Sequence, residues 1–221
     1  MERFYLTAIN DSYIPKIRKR HHGDLKMAGE FRSIKLLKVG ENPPIVWPEE
    51  KSLRDFTGLW WVAHTKSRSE KALAKDLIQK DISYFLPMSW KVRRQRGRTI
   101  RSLLPLFSGY LFFCGKESQR IEVLRTNRVA NLLAVSDQQI LLDELSQIER
   151  ALRTGATLTA HRYIKAGQCC RVIGGALAGL HGIVVKTRDT ARLLLQVDML
   201  GQATSVEIDT DMIEVIDEQT P

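Results

Sequence analysis

Apolar positions recur along this chain with two different periods, and the change of period divides it. Trp60 to Thr65 (WWVAHT) is bulky and β-prone and predicts a strand. Ser67 and Glu70 have the spacing of a capping box, which predicts a helix running to about Lys80. Its stripe is Leu73, Leu77 and Lys80, with Ala74 and Ile78 beside it. Tyr84 to Met88 reads as a short strand, Lys91 to Arg101 as a hairpin or flexible loop turning at Gly97, and Phe107 to Cys114 as a strand bent at Gly109. Lys116 to Thr126 predicts a second helix and Leu132 to Val135 another strand. A second capping box, Ser136 to Gln139, opens a helix on which Leu141, Leu145, Ile148 and Leu152 recur at i, i+4, i+7 and i+11. Strands and helices mixed in this order predict an α+β fold with a mainly antiparallel sheet packed with helices.

Beyond a linker at 154–164 the texture becomes all-β. Cys169 to Ile173, Gly182 to Arg188, Ala191 to Val197, Thr204 to Ile208 and Ile213 to Ile216 read as five short strands. Gly174-Gly175, Gly179, Asp189-Thr190 and Gly201-Gln202 punctuate them. Five strands in about fifty residues suit a small closed β-barrel. Residues 1–57 have no comparable pattern: a basic tract, Lys16 to His22, precedes a proline-rich stretch, Asn42 to Pro48, with a short helix expected near Phe31 to Lys38. They are read as a partly disordered extension. The expected organisation is therefore an extension over 1–57, an α+β domain over 58–153, a linker over 154–164 and a barrel over 165–217.

Charge sharpens this division. The 221-residue chain carries a formal net charge of +9, but residues 58–153 hold 17 Lys and Arg against nine acids, whereas 165–217 hold five against seven. A basic first domain and a mildly acidic second predict two surfaces with different partners, the basic one favouring a polyanion. Arg93, Arg94, Arg96, Arg98 and Arg101 have no acid among them, and guanidinium groups match phosphate geometry. Three cysteines, Cys114, Cys169 and Cys170, and five scattered histidines have no metal-ligand spacing. No run is long and apolar enough to cross a bilayer, and the first ten residues lack a signal-peptide core, so a cytoplasmic address without membrane contact is expected. No nucleophile elbow or paired-acid pattern gives catalysis a footing, and neither cofactor nor metal is expected.

Two motifs carry a resemblance. Gly167-Gln168-Cys169-Cys170-Arg171-Val172-Ile173-Gly174-Gly175-Ala176-Leu177-Ala178-Gly179-Leu180-His181-Gly182-Ile183-Val184 reads strand, glycine turn, apolar loop, glycine, strand. It resembles a KOW motif, with Gly175, Gly179 and Gly182 matching the pattern's turn glycines, and Met199 to Asp209 resembles the segment that completes the barrel in NusG proteins. Pro105-Leu106-Phe107-Ser108-Gly109-Tyr110-Leu111-Phe112-Phe113 resembles the Phe-Pro-Gly-Tyr strand of the NusG N-terminal domain, with Ser108 in place of proline. Trp60-Trp61-Val62, the capped helix, Phe85-Leu86-Pro87 and Arg125 to Val129 resemble the same domain in the same order. The resemblance spans about 59–217 and leaves 1–57 outside.

This resemblance implies a monomeric, non-enzymatic transcription elongation factor. Its first domain would dock on the clamp helices of RNA polymerase through a patch at His64, Phe107, Tyr110, Phe112 and Val135. Leu111 and Phe113, on the opposite strand face, would be core. Contacts to upstream or non-template DNA would come from Lys66, Arg93, Arg94, Arg96, Arg98, Arg101, Arg125 and Arg128. The KOW domain would recruit Rho or the ribosomal protein NusE. The basic insert and the N-terminal arm suggest a specialised, RfaH-like paralogue. The β-branched run Ile183, Val184, Val185 argues for a permanent barrel over a helical alternative. A ribosome-associated, RNA-binding KOW protein is the other reading, disfavoured by the Phe-Ser-Gly-Tyr domain.

Overall fold

A computed structural model describes residues 41–95, 98–162, 168–186 and 191–216. Thirteen strands and three α-helices occur among them, in an α+β arrangement with antiparallel sheets. The elements are β1 (Val46–Trp47), β2 (Leu59–Thr65), α1 (Glu70–Gln79), β3 (Ser83–Phe85), β4 (Met88–Gln95), β5 (Arg98–Pro105), β6 (Tyr110–Gly115), α2 (Glu117–Arg125), β7 (Val129–Leu133) and α3 (Gln138–Arg153). After them come β8 (Thr159–Arg162), β9 (Gln168–Val172), β10 (His181–Lys186), β11 (Ala191–Val197), β12 (Gln202–Ile208) and β13 (Ile213–Val215). No helix of the described residues is long and apolar enough to cross a membrane.

The first sheet has the order β1-β3-β6-β2-β7. Alternation along β6 sends successive side chains to opposite faces. Leu111 and Phe113 join Ala63, Tyr84 and Leu86 under α1, through Leu73, Leu77 and Ile78, and under α2, through Val123. Phe112 and Cys114 join Trp60, Val62 and Phe85 under α3, through Leu141, Leu145 and Ile148. Both faces are thus apolar because each has its own helical cover.

The helix starts differ from the capping expected of them. Ser69, not Ser67, precedes α1, without a side-chain cap, and Arg68 takes a left-handed φ of 55°. Glu70, free of any box, accepts a hydrogen bond from the Gly109 amide at 2.7 Å. For α3 the cap is Asp137, whose Oδ1 accepts from Gln139 and Ile140. Gln138 instead reaches across to Trp60, accepting from its amide at 2.7 Å and donating to its carbonyl at 3.2 Å. At α1 a longer-range partner wins because a buried backbone group needs one, whereas at α3 the cap moves one residue on and Gln139, the expected box partner, donates to Asp143.

Residues 41–57, read from sequence as part of a loose extension, form a clasp. β1 extends the first sheet beside β3, and the Leu86 amide donates to the Ile45 carbonyl at 2.7 Å. Leu53 is fully buried with the α3 cluster. Its amide and the Ser52 hydroxyl both donate to Glu149 Oε2, at 3.2 and 3.3 Å. Arg153 holds the other Glu149 oxygen at 2.8 Å and donates to the Lys51 carbonyl at 2.8 Å. Proline-rich composition misled here: a few apolar anchors and one buried carboxylate suffice to order the segment. The expected short helix at Phe31 to Lys38 and the basic tract lie outside the described residues.

The second sheet has the order β13-β9-β10-β11-β12-β8, six strands rather than the five expected. The extra strand, β8, comes from the segment read as linker and pairs with β12, with Thr159 opposite Ser205. Leu158, just before it, is buried. Gly175 and Gly179 adopt φ of 73° and 81°, the left-handed conformations glycine supplies cheaply. Gly182 serves otherwise: a Cβ there would lie 2.2 Å from the Leu194 carbonyl oxygen, so β10 and β11 approach too closely for any side chain. Helix α3 also reaches this sheet. Gln147 Oε1 accepts from the His181 amide at 2.9 Å, Glu144 Oε1 accepts from the Asp198 amide at 3.1 Å, and Arg150 donates to the Ala178 carbonyl.

Two predictions come from α3. Replacing Glu149 by Ala leaves the Leu53 amide without its acceptor and Arg153 with the Lys51 carbonyl alone, a loss of about 1–3 kcal/mol. Amide exchange at Leu53 and Val46 should quicken selectively; unchanged protection at Leu53 means the carboxylate does not hold the clasp. Glu144 is pushed up to about 7 by burial, opposed by its hydrogen bond from the Asp198 amide and aided by the Asp198 carboxylate. The folded state therefore retains a proton that the unfolded chain gives up near its ordinary 4.5. This contribution should decline as pH rises from about 4.5 to about 7 and then level off. Urea midpoints of wild type and Glu144→Gln should diverge across that window, with parallel profiles refuting the assignment.

Candidate protein and nucleic-acid interfaces

The turn that ends in Gly109 builds the first surface. Gly109 sits at φ 86°, fixed by its amide on Glu70 and by its carbonyl, which accepts from the Thr65 amide at 2.8 Å. This places Tyr110 at the start of β6, directly opposite His64 on β2. The two rings stack with centroids 5.1 Å apart and planes 26° from parallel. His64 is exposed and Tyr110 half-buried, so the pair presents a flat aromatic surface at the end of the sheet.

Phe107 and Phe112 do not share it. Phe107 is 1% exposed and Phe112 fully buried, in edge-to-face contact at 6.1 Å. Both belong to the α3-covered core, so their assignment to a docking patch is corrected: the face carrying Tyr110 and Phe112 is closed at Phe112 and half-open at Tyr110. Val135 is partly buried against the same core. Tyr110 packs partly buried against that core as well, and Val135 lies just beyond the end of β7.

The β4–β5 hairpin forms the second surface. It is a two-stranded ribbon belonging to neither larger sheet, with Arg94 opposite Thr99 and Val92 opposite Arg101. Lys91, Arg93, Arg94, Arg98 and Arg101 are exposed, and none makes an ion pair among the described residues. Arg96 lies outside the described residues. At the ribbon's base, Lys71 on α1 donates to the Leu103 carbonyl at 2.5 Å, and burial lowers its ammonium from the usual lysine range.

The remaining predicted cations are differently placed. Arg128 pairs with Asp76 on α1, and Arg125 pairs with Glu122 at 2.5 Å. Lys66 donates to Asn127 Oδ1 at 2.6 Å. Arg125 and Arg128 thus have local carboxylate partners and differ from the hairpin arginines, a distinction that counting charges along the chain does not make. Trp90, Val92 and Ile100, 59%, 60% and 45% exposed, are surface residues the sequence reading passed over. The alternation Met88, Trp90, Val92 within a basic segment was the signal available for them.

Comparison with known proteins bears on the first part of the chain. Residues 58–150 match the family model of transcription termination factor NusG. No curated protein matches the chain. Solved structures similar to it include Thermotoga maritima NusG, in a structure concerned with its domain interaction, at 17% identity and a TM-score of 0.42, covering 72% of this chain and 97% of that one. Another is the MjSpt4:Spt5 complex in conformation B, at 12% identity and a TM-score of 0.24, covering 74% of this chain and 100% of that one. Residues 58–150 are thus similar to the NusG domain family, and the match is confined to this part of the chain.

Proposed function

We propose that this protein is a non-enzymatic transcription elongation factor that holds RNA polymerase through its first domain and recruits a further partner through residues 168–216, acting as a KOW domain. The observation that carries this reading is the stacked His64–Tyr110 pair, exposed at a sheet end within the segment matching the NusG family. A rigid aromatic surface is the usual anchor of a protein interface. The clamp helices are the proposed polymerase contact, and the hairpin arginines face upstream duplex or exposed non-template DNA. Rho or NusE is the proposed second partner, with Gly175 and Gly179 setting the loop that joins β9 to β10 and Gly182 allowing β10 to approach β11.

Tyr110→Ala with His64→Ala should weaken binding of the full chain to core RNA polymerase by at least tenfold, about 1.4 kcal/mol or more. The fold should survive, because neither residue is in the closed core. Binding by the folded double variant at wild-type strength places the polymerase contact elsewhere. Phe107→Ala is a poor probe of docking, since it opens a cavity.

The hairpin makes a separate expectation. Phosphate contacts release counterions, with a log–log salt slope of about −0.9 per phosphate on duplex DNA and about −0.7 on single strands. Replacing Arg93, Arg94, Arg98 and Arg101 by Gln should flatten the salt dependence of binding to an elongation complex and leave affinity for an isolated clamp-helix fragment unchanged. A wild-type slope in that variant means the ribbon's charges are merely solvated.

A further inference from the structure

We infer that the β4–β5 ribbon is a binding site for single-stranded nucleic acid, on which Trp90 stacks a base while Arg94 and Arg101 hold the flanking phosphates. This rests on the reading of the hairpin as a nucleic-acid contact and commits it to unpaired strands and to named residues.

Trp90, Val92 and Arg94 stand at i, i+2 and i+4 on β4 and so share a face of the ribbon. Their cross-strand partners Leu103, Arg101 and Thr99 stand on the same face. That face therefore runs from an indole through an aliphatic patch to two guanidinium groups. Trp90 is 59% exposed, although a tryptophan side chain gains more from burial than almost any other. The surrounding charge selects what could cover it: five exposed cations and no acid between Met88 and Pro105. Beside the indole lies an open groove of about 300 Å³, lined by Trp90, Lys91, Arg93, Leu104, Thr157 and Thr159. Trp90 is its one aromatic residue; threonine hydroxyls, the cations Lys91 and Arg93 and apolar residues such as Leu104 and Leu158 line the rest, and no carboxylate does.

An aromatic platform with permanent cations around it fits a polyanion that also carries flat rings. In a duplex the base faces are hidden in the stack, so an indole could use only the backbone. In a single strand each base exposes a face, and stacking it on an aromatic side chain contributes about 1–3 kcal/mol. The ribbon thus separates two contributions: salt-dependent phosphate contacts from arginine, and a salt-independent stack from Trp90.

The test uses the full chain with fluorescein-labelled 15-nucleotide oligo-dT and oligo-rU and a 15-base-pair duplex, titrated by anisotropy at several salt concentrations. Wild type should prefer both single strands to the duplex. Trp90→Ala should weaken single-strand binding by about 5- to 100-fold at an unchanged salt slope, with duplex binding untouched. Trp90→Phe should recover part of the loss, and binding should quench an indole emission component absent from the Trp90→Phe variant. Arg94→Gln with Arg101→Gln should flatten the slope in all three ligands. Comparison of oligo-dT with oligo-rU distinguishes DNA from RNA as the source. If the arginine variant flattens the slope but Trp90→Ala binds like wild type, or if duplex binds as tightly as single strand, stacking is overturned and the electrostatic reading survives. If no nucleic acid binds, both fall and the face is a protein contact.

Discussion

Helix α3 is the element on which the described structure depends. The first sheet is apolar on both faces, and α1 with α2 can cover only one of them. Leu141, Leu145 and Ile148 of α3 cover the other, against Val62, Phe85 and Phe112. An adjoining arc of the helix carries Glu144, Gln147 and Arg150 to the second sheet, and Glu149 near its end fixes the clasp. One sixteen-residue helix therefore closes a core that continues into Val172, Leu180 and Leu193 of the second sheet, adds polar contacts to that sheet and orders a segment nearly a hundred residues earlier in the chain. Its three roles use different side chains on different arcs, which is why a clear apolar stripe coexists with a buried carboxylate.

This arrangement decides what is left for binding. Where α3 covers the sheet, aromatic residues become core, as Phe107 and Phe112 do. Tyr110, at the start of the strand, remains half-open beside His64, and the turn through Gly109 holds the pair in place from the other side through Glu70. The hairpin escapes the covering altogether. It leaves the sheets at Met88 and returns at Pro105 without a helix over it, so its cations and its indole remain at the surface. Surface aromatic residues on a covered fold are informative because burial was available and was not used.

The polar contacts between α3 and the second sheet are of a different kind from those within the first. They run from side chains to single backbone groups: Glu144 to the Asp198 amide, Gln147 to the His181 amide, Arg150 to the Ala178 carbonyl. Such bonds fix direction more than they add stability, since each replaces one made to water. The half-buried Glu144 carboxyl makes this contact sensitive to proton concentration, whereas the apolar cover over the first sheet has no such dependence.

Much of the fold was legible from period alone. Alternation and glycine spacing located most strands, and the i, i+4, i+7, i+11 stripe located α3, because those patterns record local geometry that each residue satisfies with its neighbours. The chain's NusG-like motifs were legible for the same reason, as were the arginines of the hairpin. What the sequence left open depended on partners distant along the chain. It could not show that Glu70 would serve the Gly109 amide instead of a cap, that Glu149 would order a proline-rich segment, or that residues 159–162 would add a sixth strand. It also could not separate Phe112 from Tyr110: both occupy one face of one strand, and only the position of α3 determines which is sealed and which can meet a partner. Periodicity specifies the face a side chain takes, but the tertiary structure decides whether anything lies over that face, because burial is a property of the neighbours and not of the residue.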